Sequence, residues 1–248
     1  MAHVCALAID PKATKLLRSG LNGPVRPGRG IAWDVSFMNS PAGRASRGGD
    51  WSDAVVISDD AFALAIGDVS GHGEPAFETM KIMRASLLRG IHANDGPAEI
   101  LSAANSVAYS IRDGVIVTAI VAIVNRRLRT LTFANAGHPA PLMMTPTLHG
   151  FLTHAIADVP LGIWPTHNAA SYVVALPEDS LIVLYTDGIT EHERDAVRGE
   201  RELVEACRAT YDGSAPDLAA SIARHVFQRG RGHDDAAVTT LREFGRVS

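Results

Sequence analysis

The chain has 248 residues and a mass of 26.3 kDa, a length that suits a single catalytic domain. Hydrophobic residues make up 46% and charged residues 20%, a balance typical of folded globular proteins that excludes extensive disorder. The net charge of −4 and the pI near 6.2 argue against a protein that binds nucleic acid through clustered Lys and Arg.

Neither a membrane segment nor an export signal is recognisable. The longest apolar stretch, Val115–Val124, has about half the length that a membrane-spanning helix requires. No basic segment precedes the short apolar run near the amino terminus. Cys5 and Cys207 are far apart and match neither a metal-binding nor a disulfide pattern. We therefore expect a protein of the reducing cytoplasm with neither a membrane nor a nucleic acid as its partner.

The first half of the chain is predicted to contain an arm, strands and two helices. Residues 1–30 are rich in Gly and Pro and are interpreted as a lead-in arm, followed by a single domain over residues 31–248. Strand patterns begin at Ile31, and the apolar segment Ala61–Ile66 leads directly to Gly67 and Asp68. Apolar residues at helical spacing then predict one helix over Phe77–Ile91 and a second from Pro97 to Ile111.

The second half returns to strands before two more helices and a last strand. The strands are predicted over Val115–Val124, Thr130–Asn135, Ala140–Met144, Tyr172–Ala175, Leu181–Tyr185 and Ala236–Leu241. The helices are predicted over Glu200–Ala209 and over Ala215–Phe227, the latter with Ser214 at its start. Consecutive helices between hairpins are not typical of βαβ alternation, so we expect an α+β fold with antiparallel sheets and helices outside them.

Aspartates next to glycines mark four places where apolar strands begin or end. These segments are Gly48-Gly49-Asp50, Gly67-Asp68-Val69-Ser70-Gly71-His72-Gly73, Thr186-Asp187-Gly188 and Gly232-His233-Asp234-Asp235. A single Asp-Gly pair is more often a turn than a ligand. Carboxylates that meet at strand ends would repel one another unless divalent cations were present. Oxygen donors favour Mg²⁺ or Mn²⁺ over Zn²⁺, and a pair of such ions suits phosphate hydrolysis.

Six motifs in order resemble the metal-dependent serine/threonine phosphatases of the PPM (type 2C) superfamily. They are GGDWSD (48–53), GDVSGHG (67–73), FANAGHPAPLM (133–143), PLGI (160–163), LYTDGITE (184–191) and GHDDAAV (232–238). Within the superfamily they are similar to the bacterial SpoIIE/RsbU/RsbX-like branch. The resemblance covers nearly the whole chain, from Ile31 to Leu241.

This resemblance implies an αββα sandwich, with two antiparallel β-sheets flanked by helices, and a centre of two Mn²⁺ or Mg²⁺ ions. Asp68 would bridge the two ions and the carbonyl of Val69 would help to hold one of them. Asp187 and Asp234 would complete the other position, and Asp50 would bind directly or through water. Asp68 and Asp187 are thus the expected catalytic residues, and a metal-bridging hydroxide would attack the phosphorus.

Other residues near these motifs have less specific interpretations. Arg44 and Arg47 precede Asp50 and are candidates for binding the substrate phosphate, although surface arginines are the simpler reading. His72 is a candidate proton donor to the leaving group. His138 is interpreted chiefly as a residue that shapes the turn between two strands.

The resemblance also implies a substrate class and leaves alternatives open. The expected partner is a phosphorylated STAS-type anti-sigma-factor antagonist or a stressosome-like protein, and the expected form is a catalytic domain without sensor modules. One alternative is a pseudophosphatase that uses the same fold as a binding module. Another is a hydrolase of small phosphate esters, because the metal centre does not by itself select protein substrates.

Overall fold

The computed structural model describes residues 17–18, 32–40, 48–58, 60–111, 114–153, 159–191, 195–211, 217–227 and 235–244. Within these ranges the chain forms five helices and eleven strands. The strands are β1 (Leu17–Arg18), β2 (Ala32–Ser40), β3 (Trp51–Ser58), β4 (Ala61–Val69), β5 (Val117–Asn125), β6 (Thr130–Ala136), β7 (Leu142–Met144), β8 (His149–Phe151), β9 (Tyr172–Ala175), β10 (Leu181–Tyr185) and β11 (Ala236–Phe244). The helices are α1 (Gly73–His92), α2 (Pro97–Ser110), α3 (Asp187–Thr190), α4 (Ala196–Thr210) and α5 (Leu218–Val226).

Two antiparallel sheets form the centre of the domain. One has six strands in the order β1-β3-β4-β5-β6-β9, and the other has five in the order β2-β11-β10-β7-β8. A shared apolar core joins them, with Leu64 and Phe133 from the first sheet and Leu184 from the second. Helices α1 and α2 pack on the outer face of the six-stranded sheet, and α4 and α5 cover that of the other. These layers confirm the expected αββα sandwich.

Side-chain alternation along each strand determines which residues face the other sheet. On β4, Phe62, Leu64 and Ile66 belong to the core between the sheets, whereas Ala63 and Ala65 face the helices. The small helix-facing residues let α1 and α2 approach closely, and the large residues fill the space between the sheets. The next position on the inter-sheet face of β4 is Asp68, so this apolar row ends in a carboxylate.

Most sequence-predicted elements are present, and some bounds differ. Predicted strands Tyr172–Ala175 and Leu181–Tyr185 coincide with β9 and β10. In the structure α5 begins at Leu218, and its N-cap Asp217 accepts a hydrogen bond from the backbone N–H of Ala220, whereas Ser214, the predicted start, lies outside the described residues. Carboxylates and hydroxyls are both good N-caps, so composition did not distinguish them. Of residues 1–30, interpreted as an arm, only β1 is described, and it pairs with β3.

No helix among the described residues is both long and apolar enough to span a bilayer.

Candidate metal centre

The apolar rows between the sheets all end in polar residues at the same end of the sandwich. On the six-stranded sheet Asp68 lies opposite Thr118, and Trp51 lies opposite Gly67, so one further step places Asp50 beside Asp68. Strand alternation gives the same inter-sheet orientation to the polar residue at this end of each row. These residues are Asp50, Asp68, Thr118, Asn135, Thr186 and Asp235.

The carboxyl groups of Asp50 and Asp68 are close enough for the charge of one to affect the other. Burial raises the pKa of Asp50 well above its ordinary value, and the negative charge of Asp68, with a smaller effect from Asp235, raises it further. The hydroxyl of Thr186 acts in the opposite direction, because its Oγ1 donates to Asp50 Oδ2 at 2.7 Å. The centre therefore carries an excess of negative charge that a cation would offset.

Asp235 connects the five-stranded sheet to the loop that carries Asp50. Its side chain is 5% exposed, and its Oδ2 accepts a hydrogen bond from the backbone N–H of Gly49 at 2.8 Å. The neighbouring Gly48 leaves no room for a larger residue, since a Cβ there would lie 2.1 Å from the same oxygen. This glycine pair lets the loop close over the carboxylate.

Gly49 also faces the end of β4. A Cβ at Gly49 would lie 2.5 Å from the carbonyl oxygen of Val69 and 3.4 Å from Asp68 Oδ1. The Val69 carbonyl and the Asp68 carboxylate are thus on the same side as the Asp50 loop. This arrangement is compatible with the sequence-based expectation that both residues supply oxygen ligands.

Asp187 is placed by the end of β10 and the start of α3. It directly follows Thr186, and its backbone carbonyl accepts from the N–H of Glu191 at 2.7 Å, which closes the single turn of α3. Gly188 packs so closely on β11 that a Cβ there would lie 1.9 Å from the carbonyl oxygen of Asp235. The TDG turn therefore lies against Asp235, the residue that directly precedes β11.

Three of the expected site residues lie outside the described residues: Asp234, Arg44 and Arg47. Their roles stay predictions. His72, the candidate proton donor, is exposed and precedes α1, and its side chain does not cap that helix.

Thr186 and His138 make contacts that the sequence motifs do not predict. Thr186 Oγ1 bonds Asp50 and also accepts from the backbone N–H of Ala237 at 2.8 Å. His138 is 5% exposed, and its Nδ1 lies 2.8 Å from Oγ1 of Thr118, which is opposite Asp68. Thr186 could be identified by its position at the end of an apolar row facing the other sheet, whereas His138 lies in the turn after the row that ends in Asn135.

The oxygen atoms at this end of the sandwich are suited to binding a hard divalent cation. It consists of carboxylate oxygens with a backbone carbonyl beside them, which are the ligands that Mg²⁺ and Mn²⁺ prefer. These oxygens are gathered at one place, since the Val69 carbonyl oxygen and Asp68 Oδ1 both lie beside Gly49, the residue that precedes Asp50. Within the ranges given above, no group of three or more His, Cys, Asp or Glu side chains is already arranged to hold a metal ion.

Comparison with known proteins gives one family and several relatives. The model of the family Stage II sporulation protein E (SpoIIE) matches residues 58–243. The phosphoserine phosphatase RsbU of Bacillus subtilis (strain 168) is 26% identical over 219 residues, which cover 85% of this chain and 63% of RsbU. This chain thus spans slightly less than two thirds of that relative.

Solved structures show the same fold. The RsbU and RsbW domains of Rv1364c from Mycobacterium tuberculosis superpose with a TM-score of 0.77 and 23% identity, over 87% of this chain and 61% of that one. RsbX in complex with magnesium superposes with a TM-score of 0.65 and 14% identity, over 87% and 99% of the two chains. The family match extends from the end of β3 through β11, so the chain belongs to the SpoIIE family.

Proposed function

We propose that the chain is a metal-dependent phosphoprotein phosphatase that hydrolyses phosphoserine or phosphothreonine on a bacterial signalling protein. The observation that carries the proposal is the meeting of Asp50, Asp68 and Asp235 at one end of the sandwich, in a member of the SpoIIE family. The name of RsbU, a phosphoserine phosphatase, supports the reaction class. No observation favours the alternative of a binding module without catalysis.

Two divalent cations, Mn²⁺ or Mg²⁺, are the proposed cofactors. Asp68, the Val69 carbonyl, Asp187 and Asp234 would hold them, and Asp50 would bind directly or through water. When bound, the cations supply a nucleophilic water at neutral pH and positive charge for the phosphoryl oxygens. The magnesium in the RsbX structure supports this class of ion.

The chain's own residues orient this ligand set. The hydroxyl of Thr186 donates to one oxygen of Asp50 and so restrains the orientation of this carboxylate. The bond from Gly49 to Asp235 holds the Asp50 loop against the second sheet. Arg44 and Arg47 precede this loop, and we propose that they bind the substrate phosphate through charge-assisted hydrogen bonds.

The proposed substrate is a phosphorylated STAS-type anti-sigma-factor antagonist or a stressosome-like protein. The support is the similarity to RsbU and the six motifs of the SpoIIE/RsbU/RsbX-like branch. Such a partner would place the enzyme in the cytoplasm, where the buried thiol of Cys207 stays reduced.

The decisive experiment measures hydrolysis of p-nitrophenyl phosphate with Mn²⁺ for the wild type and for Asp68→Asn and Asp187→Asn. We expect both changes to abolish activity, whereas Asp60→Asn, at the opposite end of β4, keeps it. Activity that survives both changes contradicts the proposed site. A preference for a phosphorylated STAS domain over the small ester separates a protein phosphatase from a general esterase.

A further inference from the structure

The turn after β6 holds a buried histidine next to the carboxylate end. Asn135 Oδ1 accepts from the backbone N–H of His138 at 2.7 Å, and Asn135 Nδ2 donates to the His138 carbonyl at 2.8 Å. Gly137 has a φ of +67°, and a Cβ there would lie 2.5 Å from Pro160 Cγ. The turn is therefore closely packed, and the imidazole has little freedom to move.

The imidazole of His138 spans the two sheets. Its Nδ1 lies 2.8 Å from Thr118 Oγ1 on β5, and the backbone of Tyr185 on β10 is close enough to influence its pKa. Burial lowers the pKa of His138 to about 3, with the Tyr185 backbone acting in the opposite direction, so the ring is uncharged at neutral pH. Its Nε2 is buried and does not reach full hydrogen-bond geometry with any described residue, although the backbone of Tyr185 lies near the ring.

The two residues next to the imidazole, Thr118 and Tyr185, are each adjacent to a proposed metal ligand or to a residue that binds one. Thr118 lies directly opposite Asp68 in the β4–β5 ladder, so their side chains share the inter-sheet face. Tyr185 precedes Thr186, whose hydroxyl donates to Asp50. His138 thus stands between Thr118 on β5, the cross-strand neighbour of Asp68, and the end of β10, where Thr186 donates to Asp50.

A phenyl ring is somewhat larger and has no nitrogen that needs a hydrogen-bond partner. A buried polar atom without a partner costs about 1–3 kcal/mol, so an imidazole here is a poor choice for packing alone. The Nδ1 contact with Thr118 distinguishes the imidazole from an apolar ring, because it restrains a side chain next to Asp68.

We propose that His138 is a positioning residue that holds Thr118 and the end of β10 in place, so that Asp68 and Asp50 meet at the separation that binds a divalent cation. This inference rests on the proposed function, since it concerns the same centre. Groups that support metal ligands from outside commonly change metal affinity by about 10–100-fold when they are removed.

Two substitutions test the inference, of which the second is isosteric. His138→Phe keeps the ring and removes both nitrogens, and Thr118→Val keeps the shape and removes the hydroxyl. We expect each to raise the Mn²⁺ dissociation constant about tenfold, measured by calorimetry on metal-stripped protein without substrate. We also expect kcat on p-nitrophenyl phosphate to fall with little change in KM. Thr118→Ser, which keeps the hydroxyl, should restore both values.

Thr239→Val is the matched control. Thr239 lies on β11, is fully buried, and its hydroxyl has no hydrogen-bond partner among the described residues. The same Thr-to-Val change should therefore leave the Mn²⁺ affinity as it is in the wild type. Thr118→Val makes the smaller change in shape, so it carries the test if His138→Phe does not fold.

The outcomes separate this inference from the proposed function. Wild-type Mn²⁺ affinity in both variants, with only a lower unfolding temperature, would mean that His138 is a packing residue and would overturn the inference alone. A wild-type protein that binds no Mn²⁺ would overturn the proposed function, and this inference with it. Weaker binding in both variants but not in Thr239→Val supports the positioning role.

Discussion

Thr186 donates a hydrogen bond from Oγ1 to Asp50 Oδ2 at 2.7 Å, across the space between the two sheets. The backbone N–H of Ala237 donates to the same hydroxyl oxygen at 2.8 Å. A backbone N–H can only donate, so the hydroxyl oxygen is the acceptor in the bond with Ala237. The hydroxyl proton is therefore donated to Asp50. One side chain thus joins β10, β11 and the loop before β3, and it orients a carboxylate proposed as a metal ligand.

Replacement of this hydroxyl should reduce activity more than stability. Thr186→Val removes the donor to Asp50 and the acceptor for Ala237, whereas Thr186→Ser keeps both. We expect the valine variant to lose about tenfold in kcat on p-nitrophenyl phosphate and in Mn²⁺ affinity, and the serine variant to stay close to the wild type. Equal activity of the valine and serine variants would show that the hydrogen bond to Asp50 is not needed.

The close packing of Gly188 predicts that adding a single methyl group there, in Gly188→Ala, lowers the stability of the protein. In Gly188→Ala the new Cβ would lie 1.9 Å from the carbonyl oxygen of Asp235, so the backbone of α3 or β11 must move. We expect a loss of about 2 kcal/mol in the free energy of unfolding, measured by urea denaturation, together with lower activity. Gly150→Ala on β8 is the control, because no atom lies within 4 Å of its new Cβ. A Gly188→Ala protein as stable as this control would contradict the close packing.

The lowered pKa of His138 predicts a pH dependence of stability. The folded protein keeps this ring neutral down to about pH 3, whereas the unfolded chain takes up a proton near its ordinary value of 6.5. The unfolded state therefore binds more protons between these values, and stability falls as the pH decreases through this window. The slope reaches about 1.4 kcal/mol per pH unit.

His138→Phe has no such proton to bind. From pH 6.5 to pH 5, the wild type should lose about 2 kcal/mol of unfolding free energy relative to this variant, measured by denaturant titration at each pH. Parallel pH profiles of the two proteins would show that His138 is not held neutral in the folded state.

The ion pair between β3 and α1 should contribute more stability than an exposed pair on the same helix. Arg84 binds both carboxylate oxygens of Asp53, at 2.5 and 2.6 Å, and Asp53 is 1% exposed. Arg84→Met should cost about 3 kcal/mol of unfolding free energy, because a buried carboxylate loses its guanidinium partner. The matched change Lys81→Met breaks the exposed pair with Glu78 and should cost less than about 0.5 kcal/mol. Equal losses in thermal or urea unfolding would contradict this difference.

The sandwich could be predicted from the sequence because strand and helix periodicities are strong in this chain. The apolar runs of β4, β5 and β10 are long enough to identify, and the aspartates at their ends suggested a common site. The sequence does not predict the shortest elements. α3 has four residues and β8 has three, too few to show a period, and both depend on contacts with neighbouring elements.

The parts of the centre that the sequence did not predict depend on which face of a strand meets the other sheet. From the sequence, Thr186 is an ordinary residue of the TDG turn. In the structure Ile182 and Leu184 face the six-stranded sheet, and alternation gives Thr186 the same orientation. His138 reads as a turn residue because its partner, Thr118, is on another strand. Alternation along a strand predicts two faces, but only the packed sheets show which one is internal.

The direct test of the carboxylate centre is a count of bound Mn²⁺ ions by isothermal titration calorimetry on protein stripped of metal. The wild type and Asp60→Asn, which changes a carboxylate that pairs with Arg127 at the far end of the sandwich, should each bind two ions per chain. Asp68→Asn should bind at most one, because the proposed bridging carboxylate is gone. Two ions bound by Asp68→Asn with wild-type affinity, or none bound by the wild type, would contradict a metal centre built on Asp68.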